Sequence, residues 1–313
     1  MTDQKKEIDT RLVYGFLDAG KTTYIKEIIK DDLFYKRGST LIFCFEQGEA
    51  EYDEEALAEK NAAVVYYDGS DVTAFCEAKL EEYHPDRIYV EMNTMMQDLR
   101  NEIPNRMKVS VVVTLIDWST MPVYYINFMQ MMKQMVSESH QVIFRDCPSS
   151  DLLEPYSQAF RLMNPKASYL RQDPMGYHEK AFSLFLPFSL DEDEITIDKK
   201  NYLPFWLDAF DHPEHYDGKT IYFADPLELR RNEEDGIWSL GRVVMTCCMA
   251  DLQFMSFWLE GFEEESYSDW VTANVLAHVV SDVYGQRKVK LHKLDIHPED
   301  TPDELILDGR RQG

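Results

Sequence analysis

The stretch "GFLDAGKTT", residues 15–23, has the spacing G-x-x-x-x-G-K-[ST] at Gly15, Gly20, Lys21 and Thr22. Glycines let the main chain curl so that its N–H groups face phosphate oxygens, and a following helix adds the positive end of its dipole. Lys21 would neutralise the β- and γ-phosphates, and the Thr22 hydroxyl would ligate Mg²⁺. The other loop residues expected to bind the nucleotide are Asp18, Ala19 and Thr23. The spacing therefore predicts a site for a nucleoside triphosphate with Mg²⁺.

Four acidic residues follow apolar runs that are typical of strands, and they are candidates for the metal and for the attacking water. Glu91 ends "RIYVE", and Asp117 ends "VVVTLID". Glu46 and Glu49 come just after "LIFCF", where a segment that senses the γ-phosphate would lie. We expect Glu91 to bind Mg²⁺, the catalytic set to be Glu46, Glu49 and Glu91, and Asp117 to contact the nucleotide. Singly, each of them is also compatible with a solvated strand end.

The elements needed to position these residues are visible in the periodicity of the first half. Short apolar runs alternate with segments of helical period, which is typical of βαβ units and a parallel sheet. A strand is predicted before the loop ("RLVYGF") and a helix after it ("TTYIKEIIK"). The run at 109–116 predicts a central strand buried on both faces.

Composition limits the classes of function. The chain has 313 residues and a formal net charge of −25, which repels nucleic acid and anionic lipid. We therefore expect no nucleic-acid partner and, because no apolar run approaches the ~20 residues of a membrane span, no membrane insertion. Five cysteines, a sparse and odd set, indicate a reducing compartment, and a cytoplasmic location is expected.

The order of these motifs resembles that of the CobW-like P-loop GTPases, relatives of the hydrogenase and urease maturation factors that handle metal ions. The likeness covers roughly residues 9–170 and rests on "GFLDAGKTT", "FEQGEAEYDE", "RIYVEMNT", "VVVTLID" and "NPKA". It implies GTP or ATP with Mg²⁺ as ligands, nucleotide hydrolysis, and a client protein that receives metal.

Three positions depart from that family's pattern. The stretch "LAEKNAAVVYY" lacks the Cys-x-Cys-Cys metal motif, and Thr94 stands where a glycine is usual. The Asn-Lys-x-Asp motif that reads guanine should follow "QVIF", where this chain has "RDCP". Arg145 or Asp146 is the candidate substitute, with Arg145 as the predicted contact, and the base stays open between guanine and adenine.

The C-terminal part contains adjacent cysteines in "GRVVMTCCMADLQ", Cys247 and Cys248. With "DAFDHPEHYDGKTI", "SFWLEG" and "DWV", this stretch resembles the C-terminal domain of uncharacterised permease-associated bacterial proteins, over about residues 205–297. Two alternatives stay open for the pair, a transition-metal site for Zn²⁺ or a similar ion with Asp251, or simple packing in a strand. The histidines show no tight ligand spacing. Two alternatives stay open for "HPEH", a metal site or a polar loop, and the polar loop is the favoured interpretation.

Together these features predict an α/β fold, a P-loop NTPase domain with a mostly parallel sheet followed by a small β-rich, OB-like barrel. The expected boundaries are 1–190 for the NTPase domain, 191–218 for a linker with a short helix, 219–300 for the barrel of about five antiparallel strands, and 301–313 for a solvated tail. The acidic run "DEDEITID" marks the linker.

The functional prediction is a slow GTPase coupled to metal delivery or homeostasis. One alternative is a nucleotide-gated interaction protein with little or no hydrolysis, whose β-domain docks a partner such as a permease-associated protein. A small-molecule kinase on the same loop is a weaker alternative, because no lid or acceptor site is visible in the sequence. The oligomeric state is open.

Overall fold

A computed structural model describes residues 6–30, 38–96, 99–182, 186–246, 249–263, 268–281 and 285–310. The chain divides into two compact units. The first comprises Met1–Leu152 and Ala167–Phe182, and the second comprises Leu153–Lys166 and Ser183–Gly313. The two units are therefore not consecutive in sequence. Residues 153–166 belong to the second unit, and residues 167–182 belong again to the first.

The first unit is built on an eight-stranded sheet with the order β3-β2-β4-β1-β5-β6-β7-β8. Its strands are β1 (Ile8–Tyr14), β2 (Thr40–Cys44), β3 (Ala62–Tyr66), β4 (Arg87–Glu91), β5 (Met107–Asp117), β6 (Gln141–Arg145), β7 (Ser168–Gln172) and β8 (His178–Lys180). All pairings are parallel except that of β7 with β8. The predicted mostly parallel α/β domain is confirmed.

Among the described residues, the helices that accompany this sheet are α1 (Lys21–Lys30), α2 (Glu54–Glu59), α3 (Val72–Tyr83), α4 (Leu99–Glu102), α5 (Met121–Asn127) and α6 (Met129–Ser137). Two apolar clusters form the core of the unit. The middle strands β2 and β4 are buried throughout, as expected of parallel strands covered on both faces. The sheet therefore brings the carboxyl ends of β1, β2 and β4 to one edge, where the phosphate loop begins.

The second unit contains a seven-stranded sheet, five strands of which form a closed barrel. Its strands are β9 (Glu194–Ile197), β10 (Thr220–Arg231), β11 (Trp238–Met245), β12 (Leu252–Glu260), β13 (Trp270–Ser281), β14 (Arg287–Pro298) and β15 (Ile306–Asp308). The sheet order is β15-β11-β12-β14-β13-β10-β9, and pairing of β10 with β11 closes the barrel. The pairing of β12 with β14 is parallel, so the prediction of only antiparallel strands is wrong at that pair, whereas the closed, OB-like architecture is confirmed.

Two peripheral segments that the sequence assigns to linker and tail are strands. Within 191–218, β9 pairs in parallel with β10, because Ile195 and Ile197 alternate into the core while Glu194 and Thr196 stay exposed. Within 301–313, β15 pairs in parallel with β11 and buries Leu307. Both segments bury apolar side chains on one face, which stabilises a short edge strand against an existing sheet.

Two helices belong to the second unit, α7 (Ser157–Met163) and α8 (Tyr202–Asp211), the latter being the predicted short helix. Phe205 of α8 is fully buried against the barrel interior, where its ring lies 5.2 Å from that of Phe257 and 5.7 Å from that of Phe223. Leu162 of α7 belongs to the same apolar cluster. The barrel core thus includes α8, the helix between β9 and β10.

Gly241 of β11 lies opposite Ser256 of β12, with no space for a side chain between the two strands. We therefore expect its replacement by alanine to destabilise the barrel. An added Cβ would lie 2.3 Å from the carbonyl oxygen of Met255, a backbone atom that cannot turn away. Overpacking of this kind costs about 1–3 kcal/mol. Urea unfolding followed by tryptophan fluorescence should show a lower midpoint, because most tryptophans lie in this unit. Ser239→Ala on the same strand is the control, and equal midpoints for the two variants would contradict the steric argument.

Candidate functional site

The loop between β1 and α1 has the main-chain conformation that its glycines permit. Gly20 has φ = +85°, and a Cβ there would lie 2.0 Å from the Arg145 guanidinium. A Cβ at Gly15 would lie 2.8 Å from the Leu115 carbonyl oxygen. A side chain would therefore displace the loop at either position, and α1 begins directly afterwards at Lys21.

The Lys21 ammonium is buried at the centre of the loop. It donates to the carbonyl oxygens of Gly15 at 2.9 Å and Phe16 at 3.0 Å, and to Glu46 Oε2 at 2.6 Å. An ammonium carries three protons, so the loop and Glu46 together use the full donor capacity of Lys21. A phosphate group that binds Lys21 must therefore take the place of Glu46.

Thr22, Glu91 and Tyr52 form a buried cluster next to Lys21. The Thr22 hydroxyl donates to Glu91 Oε1 at 2.9 Å, and the Tyr52 hydroxyl donates to Glu91 Oε2 at 2.7 Å. Burial raises the pKa of Glu91 above its usual value, although the two hydroxyl donors and Lys21 act in the opposite direction. Hydroxyl and carboxylate oxygens are the donors that Mg²⁺ prefers, so this cluster fits the predicted magnesium site.

The segment after β2 lies against the phosphate loop. The backbone N–H of Glu49 donates to Asp18 Oδ1 at 3.1 Å, and a Cβ on Gly48 would lie 2.4 Å from the same oxygen. The Cys44 thiol donates to the Glu46 carbonyl oxygen at 3.2 Å. The loop and this segment are thus linked by the hydrogen bond from the Glu49 backbone to the Asp18 side chain and by the Lys21–Glu46 ion pair.

These groups enclose a cavity of about 180 Å³. Eight of its lining residues are ones that the sequence singles out, and the list of them is Asp18, Gly20, Lys21, Thr22, Thr23, Glu46, Glu49 and Glu91. Gly15 and Ala19 are part of the loop but are not among its lining residues. A single edge of the sheet therefore brings together most of the predicted site.

Arg145 and Asp117 lie outside the lining of this cavity. Arg145 is buried, and its guanidinium donates to the Gly20 carbonyl oxygen at 2.7 Å and to Gln172 Oε1 at 2.8 Å. Both carboxylate oxygens of Asp117 accept from Ser119, one from its N–H and one from its hydroxyl. Arg145 thus positions the phosphate loop, and contact of either residue with a base stays a prediction.

Sequence reasoning missed Tyr52 and misjudged Thr94. Tyr52 lies in the segment "EAEYDE", in which most residues are acidic. The only signal in the sequence is that a large aromatic residue stands among charged ones. Thr94 stands out in the sequence only as a departure from a glycine. Its hydroxyl donates to the Gly15 carbonyl oxygen at 2.8 Å, so it supports the loop from the turn that follows β4.

The cysteines divide into two groups. Cys44, Cys76 and Cys147 are free and buried. The pair Cys247 and Cys248 lies outside the described residues, so its candidate metal role stays a prediction.

Among the helices of the described ranges, none has the length and apolar character needed to cross a bilayer.

The part of the chain that contains the barrel matches a known domain family. Residues 177–302 match the DUF1980 C-terminal domain. The predicted C-terminal resemblance is thereby confirmed, and the match spans all five barrel strands. The DUF1980 region makes up less than half of the chain, and no curated protein matches the chain.

Two solved structures are similar to the chain in fold. One is the hydrogenase maturation factor HypB from Archaeoglobus fulgidus, with 12% identity and a TM-score of 0.40, covering 53% of this chain and 82% of HypB. The other is a Zn(II)-bound triple mutant of the YjiA GTPase, with 13% identity and a TM-score of 0.40, covering 81% of this chain and 89% of YjiA. In the first unit, the loop, the segment after β2 and Glu91 lie together around one cavity.

We expect Tyr52→Phe to weaken magnesium-dependent nucleotide binding by about three- to tenfold. Loss of the hydroxyl removes one of the donors that orient the buried Glu91 carboxylate, and a hydrogen bond to a charged group contributes about 1.5–3 kcal/mol. Part of that energy is recovered when the carboxylate shifts towards Thr22. Calorimetry with and without Mg²⁺ checks this expectation, since binding without Mg²⁺ should be unchanged. Tyr177→Phe, at an exposed position, is the control, and an equal loss without Mg²⁺ would contradict a role through Glu91.

Proposed function

We propose that the protein is a magnesium-dependent nucleoside-triphosphate-binding protein, a slow GTPase coupled to metal delivery or metal homeostasis in the cytoplasm. The observation that carries the proposal is the placement of Lys21, Thr22 and Glu91 around one cavity at the end of a parallel sheet. Each has the chemistry that the role requires, a cation for the phosphates and two oxygen donors for Mg²⁺.

The phosphates would be held by the loop amides of residues 15–21 and by Lys21. Thr22 and Glu91 would hold Mg²⁺, which, when bound, offsets the charge of the β- and γ-phosphates. Their mutual hydrogen bond of 2.9 Å places the two oxygens close enough to share a cation after small side-chain movements. The residues present therefore fit the group.

Glu46 and Glu49 would sense the γ-phosphate or orient the attacking water. Glu46 accepts a hydrogen bond from the Lys21 ammonium. Binding of a triphosphate would therefore replace Glu46 by a phosphate as the anionic partner of Lys21. The freed segment then takes a second position, which is the kind of two-state element that nucleotide switches use. The linkage to metal rests on the sequence resemblance over residues 9–170.

A second function is favoured by the segment "RDCP" after β6. Arg145, where a guanine-reading asparagine is usual, donates to the phosphate loop itself. This supports a nucleotide-gated interaction protein with little hydrolysis, in which the β-domain docks a metal-receiving client or a permease-associated partner.

The deciding experiment is calorimetric binding of GTP, ATP, GDP and ADP to the purified protein with Mg²⁺, with phosphate release and bound metals measured in the same sample. Binding of a triphosphate with phosphate release above the buffer rate supports the GTPase. Binding without release supports the gated interaction protein. Absence of binding for all four nucleotides would overturn both.

A further inference from the structure

The segment that follows α8 brings two histidines and a glutamate together. The N–H of His212 donates to the Asp208 carbonyl oxygen at 2.7 Å, which ends the helix, and the N–H of His215 donates to the His212 carbonyl oxygen at 3.0 Å. Pro213 begins the intervening 3₁₀ turn. His212 and His215 are thus three residues apart in one turn, with their rings stacked at a centroid distance of 5.0 Å.

Glu214 completes a set of three possible ligands. One ligand atom from each of His212, Glu214 and His215 lies within 4.8 Å of the other two. His212 Nδ1 lies 3.6 Å from Glu214 Oε1. Two ligands of a tetrahedral zinc ion are about 3.3 Å apart, a spacing that follows from metal–ligand distances near 2.0–2.1 Å. The two side chains are half-exposed, so small rotamer changes close the remaining difference.

The buried carboxylate of Asp208 orients the third ligand. Asp208 Oδ2 lies 2.9 Å from His215 Nδ1 and accepts from the Tyr216 hydroxyl at 2.8 Å. Because a carboxylate oxygen only accepts, the proton is on Nδ1, and Nε2 of His215 keeps its lone pair. A carboxylate that fixes the tautomer and orientation of a ligating histidine is the usual outer partner of a zinc site.

Asp208 supplies a second, independent sign of a cation. It is fully buried, and its Oδ1 has no hydrogen-bond partner among the described residues. A buried carboxylate with an unpaired oxygen costs free energy, and a cation bound through His215 would offset part of that cost. Arg287 lies 3.5 Å from Glu214 Oε2, whereas His212 Nδ1 is 3.6 Å from Oε1, so the ion pair uses the other oxygen and leaves Oε1 for the metal.

We propose that His212, Glu214 and His215 form a surface site for a divalent transition-metal ion of the zinc class, with Asp208 as a positioning residue. Two imidazoles and one carboxylate leave the fourth position of a tetrahedral ion open, which suits exchange of the metal better than a closed structural site. The proposal takes the metal-binding alternative for "HPEH" in place of the polar loop. The proposal does not depend on nucleotide binding in the first unit.

The test uses the full-length protein, stripped of metal with a chelator and titrated with Zn²⁺ in competition with a chromophoric chelator. Cys247→Ser with Cys248→Ser provides the background, so that thiolates contribute no site. We expect one equivalent of Zn²⁺ to bind in that background. Removing both histidines (His212→Ala with His215→Ala) should weaken this binding at least about 100-fold, because two of three ligands are lost.

Two further measurements separate ligation from general effects. Asp208→Asn should weaken binding about 10–100-fold, as expected for an outer partner, with the fold checked by circular dichroism. His292→Ala with His297→Ala removes two histidines elsewhere in the same unit and should leave binding unchanged. In the cysteine variant, Co²⁺ should give tetrahedral visible bands without sulfur charge-transfer bands.

Three outcomes would overturn the site: absence of Zn²⁺ binding in the cysteine background, equal affinity after loss of His212 and His215, or equal losses for the His292 and His297 control. Lys21→Ala should keep the Zn²⁺ equivalent. A protein that binds Zn²⁺ here but binds no nucleotide would therefore retain this site while the proposed function fails.

Discussion

Lys21→Ala is expected to lower the affinity for a nucleoside triphosphate at least about 100-fold, equivalent to ~2.7 kcal/mol. Lys21 is the only cation among the described residues that line the cavity, which also contains Asp18, Glu46, Glu49 and Glu91. With a formal net charge of −25, the rest of the chain repels a polyphosphate. A charge-assisted hydrogen bond alone contributes about 1.5–3 kcal/mol, and the variant also leaves the carboxylate of Glu46 facing the phosphates.

Calorimetry with GTP and ATP in the presence of Mg²⁺ measures this loss. Lys26→Ala is the matched control, because Lys26 lies on the same helix, carries the same charge and donates to the Glu51 carbonyl oxygen outside the cavity. The control should bind nucleotide as the wild type does. If a folded Lys21→Ala protein binds GTP with wild-type affinity, the nucleotide assignment is wrong.

The helices and strands of this chain could be predicted because their signals are local. The strand before the loop, the helix after it and the buried strand β5 each follow from the types and spacing of neighbouring residues. The same holds for the barrel strands, which alternate and are separated by turn residues. The motif at residues 15–23 then fixed the edge of the sheet where the site lies, because a parallel sheet gathers its carboxyl ends.

The contacts within the site could not be predicted, because they join residues that are far apart in the sequence. Glu46 meets Lys21 across 25 positions, and Thr94 meets Gly15 across 79. Nothing in the pattern of polar and apolar residues specifies which strand-end carboxylate reaches the lysine and which reaches Thr22. The sequence separates Glu91 from Glu46 and Glu49 by its strand, but only the geometry shows that Glu46 pairs with Lys21 and that Glu91 accepts from Thr22.

Short elements were missed for a related reason. The strands β9 and β15 have four and three residues, too few for alternation to stand out from an acidic background. The stretch "VYYINFMQMMKQMVSE" predicts one helix, whereas α5 and α6 are separated at Phe128 without a proline or glycine to mark the break. In each case the tertiary environment decides what the local sequence leaves undetermined.

Glu46→Gln is expected to change nucleotide affinity and protein stability in opposite directions. The Lys21–Glu46 pair at 2.6 Å is almost fully buried, and a triphosphate has to displace it. Neutralising Glu46 removes both the competing anion and its repulsion of the γ-phosphate, so the affinity should rise about tenfold or more. The nucleotide-free protein should lose about 1–3 kcal/mol of stability, because Lys21 then lacks its charged partner.

Thermal unfolding with and without nucleotide checks both effects in one experiment. The Tm of Glu46→Gln without nucleotide should lie below that of the wild type, and the increase in Tm on adding GTP or ATP should be larger. Glu51→Gln, in the same segment but outside the cavity lining, is the matched control for the loss of one negative charge. Phosphate release, measured in parallel, should fall in Glu46→Gln if Glu46 also orients the attacking water. A nucleotide affinity equal to that of the wild type would show that Glu46 does not compete for Lys21, and the proposed exchange of partners at the ammonium would then be wrong.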